Sequence, residues 1–298
     1  MSKVIRGIAT AVATALALTA LSACGGSSSS GKKTLVVGSA GFAESTTLAE
    51  VYAQALEAKG FKVDRKLKIG SREVYYKQVA DGKIQVFPEY NGNLLLNVDK
   101  AATAASTSDV DTALATKLPS QLAVLNPAQA QDKDSVTVNA ETAQKYNLKS
   151  ISDLVPVAKN LAIGGSPEFK TRQAGLVGLK NKYGVDFKEY KALDTGGPIT
   201  IAKLKSNDVQ VGDVFTTDAS IVTDKFVVLD DPKNVFPAQN VIPLIYKAKV
   251  PADAQAVLNA ISAKLTTQDL LNFATKSAVD KATSSVIAKD WLKQAGLA

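Results

Sequence analysis

The chain has 298 residues, 46% of them hydrophobic, and a mean hydropathy of +0.03, so it can bury a large core and is too long for one small domain. It contains no histidine and a single cysteine, which removes His-based triads, His or Cys metal sites and disulfides. The formal charge of +7 falls to +5 once Lys3 and Arg6 are set aside with the N-terminal segment; both signs are interspersed and no basic run carries interleaved aromatics, so nucleic-acid binding has no support.

In chain order, Met1 to Gly7 carries two positive charges and Ile8 to Leu21 is an apolar run too short for a membrane span. Residues 1–23 read as a secretory signal. Leu21, Ser22, Ala23 and Cys24 resemble the lipobox of bacterial lipoproteins, which implies that Cys24 receives a lipid and begins the mature chain; an ordinary signal peptide with an incidental cysteine is the alternative. The expected location is then extracytoplasmic, anchored to the cell membrane. GGSSSSG from Gly25 makes residues 24–33 a flexible tether.

From Thr34 the pattern alternates. Leu35 to Val37 predicts a buried parallel strand. A helix follows, with Leu48, Val51, Tyr52, Ala55 and Leu56 at helical spacing and Gly60 as its stop. Phe61 to Ile69 predicts a strand and Glu73 to Ala80 a helix. Ile84, Val86 and Phe87 predict a strand ended by Pro88, which has no N–H to donate. The loop that follows presents Tyr90 among Glu89, Asn91 and Asn93, with Gly92 allowing either a turn or a close backbone approach. In open α/β sheets ligands sit at such strand ends, although Tyr90 could equally be a buried cap on the sheet. A helix is expected near Val110 to Leu118. The polar stretch from Leu125 predicts a first crossing between lobes, and VTV after Ser135 alternates like an edge strand. A second strand-and-helix series then runs through Leu161–Ile163, Glu168–Lys180, Phe187–Leu193, Ile199–Lys205 and Val209–Phe215. VVLDDPKNVFPAQNV from Val227 predicts the second crossing, and Ile242 to Tyr246 the return. The fold class is α/β, with a first lobe of residues 34–134 plus 236–298 and a second of 135–235.

The two halves repeat. ADGKIQVFPEYNGN from Ala80 matches KSNDVQVGDVFTTD from Lys205, and TLVVGSAGFAEST from Thr34 matches NLAIGGSPEFKTR from Asn160. The segments keep their order at nearly the same spacing, as two similar α/β lobes facing each other would give.

GSAGFAESTTLAEVYAQALEAKG, IQVFPEYNGNLL, YNLKSISDL, SPEFKTRQAGLVGLKNKYG and VVLDDPKNVFPAQNVIPL together resemble the ProX and OpuC type substrate-binding lipoproteins of ABC importers for glycine betaine, choline and related solutes. The resemblance spans Thr34 to Ala298. It implies a two-lobed periplasmic-binding-protein fold of type II with two crossover hinge segments, closing on a solute. It also implies no cofactor, no enzymatic activity, a monomer, and permease and ATPase subunits as partners. Its site is an aromatic cage around a quaternary ammonium, often with a basic residue for a ligand carboxylate. Carried over, Tyr90 stands for the tyrosine of the PEYTG loop, Phe215 for the tyrosine before Thr217 and Asp218, and Arg172 for the arginine after Glu168 and Phe169.

Other positions depart from the family. Gln239 stands where the second crossing has a tyrosine, Asp134 near where the first supplies one, and Ala40 where betaine binders have lysine. The expected binding set is therefore Ser39, Phe42, Tyr90, Asn93, Asp134, Arg172, Phe215, Thr217 and Gln239. Alternatives stay open for most of these: Phe42 and Phe215 as core aromatics, Arg172 in an ion pair with Asp186 or Glu168, Asp132 and Asp134 as solvated loop charges, and Ser39 and Ser166 as helix caps. At the level of function, a binding protein for another polar or aromatic solute, serving uptake or sensing, is the second reading. A glycosidase built on Glu89 and Asp134 is the third.

Overall fold

The computed structural model describes residues 34–298. The readings of the signal, Cys24 and the tether lie outside the described residues. Among the described residues, no helix is long and apolar enough to cross a membrane.

The elements in order are β1 (Leu35–Gly38), α1 (Ala43–Ala58), β2 (Val63–Lys66), α2 (Arg72–Ala80), β3 (Val86–Tyr90), α3 (Asn91–Val98), α4 (Thr107–Lys117), β4 (Leu122–Val124), β5 (Asp134–Val138) and α5 (Ala140–Tyr146). They continue with β6 (Ala162–Gly165), α6 (Leu176–Gly178), β7 (Glu189–Ala192), α7 (Pro198–Lys205), β8 (Val211–Phe215), α8 (Ser220–Thr223), β9 (Val227–Val228), β10 (Val241–Tyr246), α9 (Ala252–Ser262), α10 (Thr267–Ala278) and α11 (Ser284–Ala295). They build two mixed sheets, β2-β1-β3-β10-β4 and β7-β6-β8-β5-β9. Within the first, β1 lies parallel between β2 and β3 while β10 runs antiparallel to β3 and β4. The second repeats this order, with β6 parallel to β7 and β8 and with β5 antiparallel to β8 and β9.

One side chain shows how far the repeat extends. Gln85 Oε1 accepts from the Val36 N–H at 2.7 Å, and Gln210 Oε1 accepts from the Ala162 N–H at 2.9 Å. Both glutamines also donate back to the turn they leave, Gln85 to Gly82 O and Gln210 to Asn207 O. Gln85 thus locks β3 to β1, and Gln210 locks β8 to β6.

Alternation along the strands of the first sheet sorts its core onto two faces. Leu35, Val37, Val86 and Ile245 pack with Leu48, Tyr52 and Leu56 of α1 and with Leu258, Ile261 and Trp291. Ile84, Phe87, Ile242 and Leu244 pack with Tyr75, Val79, Leu94 and Leu114. Glu89 follows Phe87 toward α2, and Tyr90 follows Val86 toward α1.

Three sequence expectations are corrected. β3 does not end at Pro88 but runs through it to Tyr90, and α3 starts at once, so no loop intervenes. Pro88 lies directly opposite Pro243, and flanking bonds hold the ladder, Tyr246 N–H to Gln85 O at 3.0 Å and Asn91 N–H to Asn240 O at 3.1 Å. At a non-hydrogen-bonded pair neither missing N–H is called on. β5 is not an edge strand: it lies between β8 and β9 with all five residues buried. Its polar side chains are satisfied there, Ser135 Oγ donating to Val214 O at 2.6 Å and standing 2.8 Å from Thr137 Oγ1. The helix expected over Glu168–Lys180 is broken into a 3-10 turn at Pro167–Lys170, α6, and a π turn at Leu179–Tyr183. Gly175 is extended at the break, and a Cβ there would meet Phe169 O at 2.2 Å.

The two crossings between the sheets run side by side. Gln131 bridges to Asn240, Asp132 N–H donates to Gln239 O at 3.2 Å, and Val241 N–H donates to Ala130 O at 3.0 Å.

Candidate functional site

A cleft of ≈ 1040 Å³ opens where the carboxyl ends of β3 and β8 face each other. Its inner wall is laid on a fixed corner. Glu89, fully buried, accepts from Arg72 Nε at 2.7 Å and Tyr75 OH at 2.7 Å on one oxygen. Its other oxygen takes Arg72 Nη2 at 2.9 Å and the Tyr90 N–H at 2.7 Å. That network locks α2 to the end of β3 and so sets where the ring of Tyr90 stands.

Three of the aromatic rings that line the cleft stand next to one another. Phe42 lies 6.1 Å from Tyr90 and 5.1 Å from Phe215, centroid to centroid. Phe215 is backed by Gly196, whose φ of +55° and whose missing Cβ, 2.7 Å from the ring, both require glycine. Tyr90 comes from the first sheet and Phe215 from the second, at matching positions of the repeat.

Carboxyl groups share this wall. Glu44, in the first turn of α1, accepts from the Tyr90 hydroxyl on one oxygen and from Thr217 Oγ1 at 3.0 Å on the other. Asp132, in the first crossing, accepts from the Thr217 N–H at 3.1 Å and Thr216 Oγ1 at 3.2 Å. Loss of water raises Glu44 to about 6, against hydrogen bonds from Tyr90, Thr217 and Asp132 that lower it. Burial, then the neighbouring Glu44 charge, pushes Asp132 well above the usual carboxylate range. Burial followed by the Glu44 charge also holds the Tyr90 phenol far above its ordinary value, so it stays a donor. Asp134 lies directly opposite Phe215 across the β5–β8 pair, on the same face, and accepts from Asn93 Nδ2 at 2.9 Å.

Of the nine expected residues, Phe42, Tyr90, Asn93, Asp134, Arg172, Phe215 and Thr217 line the cleft. Ser39 is not among the lining residues: its buried hydroxyl accepts from the Lys68 N–H at 2.8 Å and donates to Ala40 O at 3.1 Å, holding the β1–α1 turn. Nor is Gln239, which lies fully buried behind α3 with its Oε1 accepting from the Asn93 N–H at 3.0 Å. Ser166 caps the 3-10 turn that follows it. Gly92 serves close approach, since a Cβ there would sit 2.3 Å from Ala238 O. Arg172 pairs with neither Asp186 nor Glu168; it bridges to Glu73 of α2 with bonds of 3.0 and 2.8 Å. Glu89 is fully engaged by Arg72, Tyr75 and Tyr90, so the carboxylate pair considered for a glycosidase is not free. Asp132 and Asp134 are buried rather than solvated.

Sequence reasoning missed Glu44, Arg72 and Glu73. An acid in the first turn of a helix is what the helix dipole favours anyway, so Glu44 carried no separate sign.

The family described as the substrate binding domain of the ABC-type glycine betaine transport system matches residues 33–294. The chain belongs to this family. It is a substrate-binding domain of the ABC-type glycine betaine transport system kind. The glycine betaine-binding protein YehZ of Escherichia coli K12 is 26% identical over 275 residues, covering 87% of this chain and 90% of that one. The crystal structure of a glycine betaine/carnitine/choline ABC transporter shares the fold with a TM-score of 0.70 at 20% identity, over 88% of this chain and 99% of that one. A choline-binding protein of an ABC transporter, in complex with choline, superposes with a TM-score of 0.67 at 17% identity, over 88% of each chain. Like these type II binding proteins, this member of the glycine betaine-type family sets two mixed sheets around one cleft.

Proposed function

We propose that this protein captures a quaternary-ammonium solute between two lobes, residues 34–134 with 236–298 and residues 135–235, and delivers it to the permease. The single observation carrying this reading is the juxtaposition of the Phe42, Tyr90 and Phe215 rings with the Glu44, Asp132 and Asp134 carboxyls on one wall. Ring faces attract a cation that has no N–H to donate, and carboxyl groups beside it compensate for the hydration it gives up on leaving water. The adjacent crossings act as hinges. A screen of thermal unfolding against choline, glycine betaine and carnitine tests this. A bound solute at 100 times its dissociation constant stabilises the folded state by about 2.7 kcal/mol, and failure of all three to raise the melting temperature would defeat the reading.

Cys24 is proposed as the lipid attachment site that tethers the body to the membrane, since it is the only thiol and closes the lipobox-like run. Cys24→Ala is expected to move the protein to the soluble fraction with its thermal unfolding unchanged. Retention on membranes after a high-salt wash would rule out this anchor.

A further inference from the structure

Four basic groups line the cleft, and each already has an acceptor within the protein. Arg72 is held by both oxygens of Glu89, and Arg172 by both oxygens of Glu73. Lys205 Nζ donates to Asp224, and Lys281 Nζ to Ala278 O. The carboxyl groups of the inner wall are not balanced in this way. Among the described residues, Glu44, Asp132 and Asp134 take hydrogen bonds from Tyr90, Thr217, Thr216 and Asn93, and Glu44 and Asp132 also bond each other, but no lysine or arginine donates to any of the three. A net cation would relieve that imbalance. A carboxylate would add to it, because a charge taken out of water needs a partner of opposite sign, and of the four cations only the exposed Lys281, bonded to a backbone carbonyl, is not already held by a carboxylate.

The occupied guanidinium sharpens the point. The planar fork of arginine is shaped to take a carboxylate through two parallel N–H bonds. Arg172 lies on the cleft, where such a group on a solute would reach it, but Glu73 fills the fork from across the opening. Partial burial works to raise the Glu73 carboxyl, yet the hydrogen bond and charge of Arg172 hold it at about 2, so it remains an anion. Glu73 is half exposed on the first turn of α2, and among the described residues its hydrogen-bond partner across the cleft is Arg172.

Resting on the cleft as a quaternary-ammonium site, we propose that its solute is a net cation without a carboxylate, and that Glu73, by occupying Arg172, excludes the carboxylate-bearing analogue. Choline and glycine betaine form the matched probe pair: they share a trimethylammonium head and differ in a hydroxymethyl against a carboxylate. Isothermal calorimetry on the intact protein should give choline at least a tenfold lower Kd than glycine betaine. Glu73→Ala, which frees the fork, should narrow that ratio tenfold or more through tighter glycine betaine binding. Adding Arg172→Gln to Glu73→Ala should restore the preference for choline. Equal affinities in the wild type, an unmoved ratio in Glu73→Ala, or equal weakening of both solutes overturns the inference; the last would make Glu73 a closing contact only. Binding of neither solute to the wild type instead defeats the reading of the cleft itself, and the inference with it.

Discussion

Glu89→Ala is expected to lower the unfolding free energy by about 3–5 kcal/mol, the range found when one member of a buried ion pair is removed. The guanidinium of Arg72, with a side chain only 9% exposed, would be left as a buried charge without its bidentate partner. The Tyr75 hydroxyl and the Tyr90 N–H would lose their acceptor in the same step. Chemical denaturation of the ligand-free protein reads the loss directly. Replacing Arg72 and Glu89 together by methionine should cost much less than the two single losses combined, because no unpaired charge then remains. A loss under about 1 kcal/mol for Glu89→Ala would mean that water reaches Arg72, since only exposed pairs are worth so little. Tyr90 stands on this corner, so the same substitution should also weaken solute binding.

Tyr90→Ala is the second large effect, and it acts on binding rather than folding. A ring facing a desolvated cation contributes about 2 kcal/mol or more, so its removal should weaken a quaternary-ammonium solute roughly thirtyfold, each 1.4 kcal/mol being a factor of ten. Tyr90→Phe keeps the ring and gives up the hydroxyl that bonds Glu44, and it should lose far less. Calorimetric titration with choline separates the two. Wild-type affinity in Tyr90→Ala would show that the cation sits elsewhere in the cleft, against Phe215 or the carboxylates alone.

Much of the fold is legible in the order of residues alone, for a physical reason. Hydrophobic periodicity reports which face of a local element is buried, so Leu48, Val51, Tyr52, Ala55 and Leu56 mark α1, and all five are buried. The glutamine repeated in IQV and VQV marks equivalent strands, and Gln85 and Gln210 make the same backbone bond in each sheet. Boundaries set by pairing are less legible. Pro88 reads as a strand end when its own missing N–H is considered, and only the partner opposite, itself a proline, shows that this N–H has no place in the ladder.

The sequence by itself determined that the chain has no histidine and one thiol, that its body is a duplicated α/β array, and that Tyr90 and Phe215 occupy equivalent positions of the repeat. Each of these is carried by composition or by neighbours a few residues apart. Tertiary structure alone decided which charges meet. Arg172 and Glu73 are 99 residues apart, and Thr217 and Glu44 are 173 apart. Nothing in a side chain's local pattern records its distant partner, so the balance of charge in the cleft was set only when the two sheets were brought face to face.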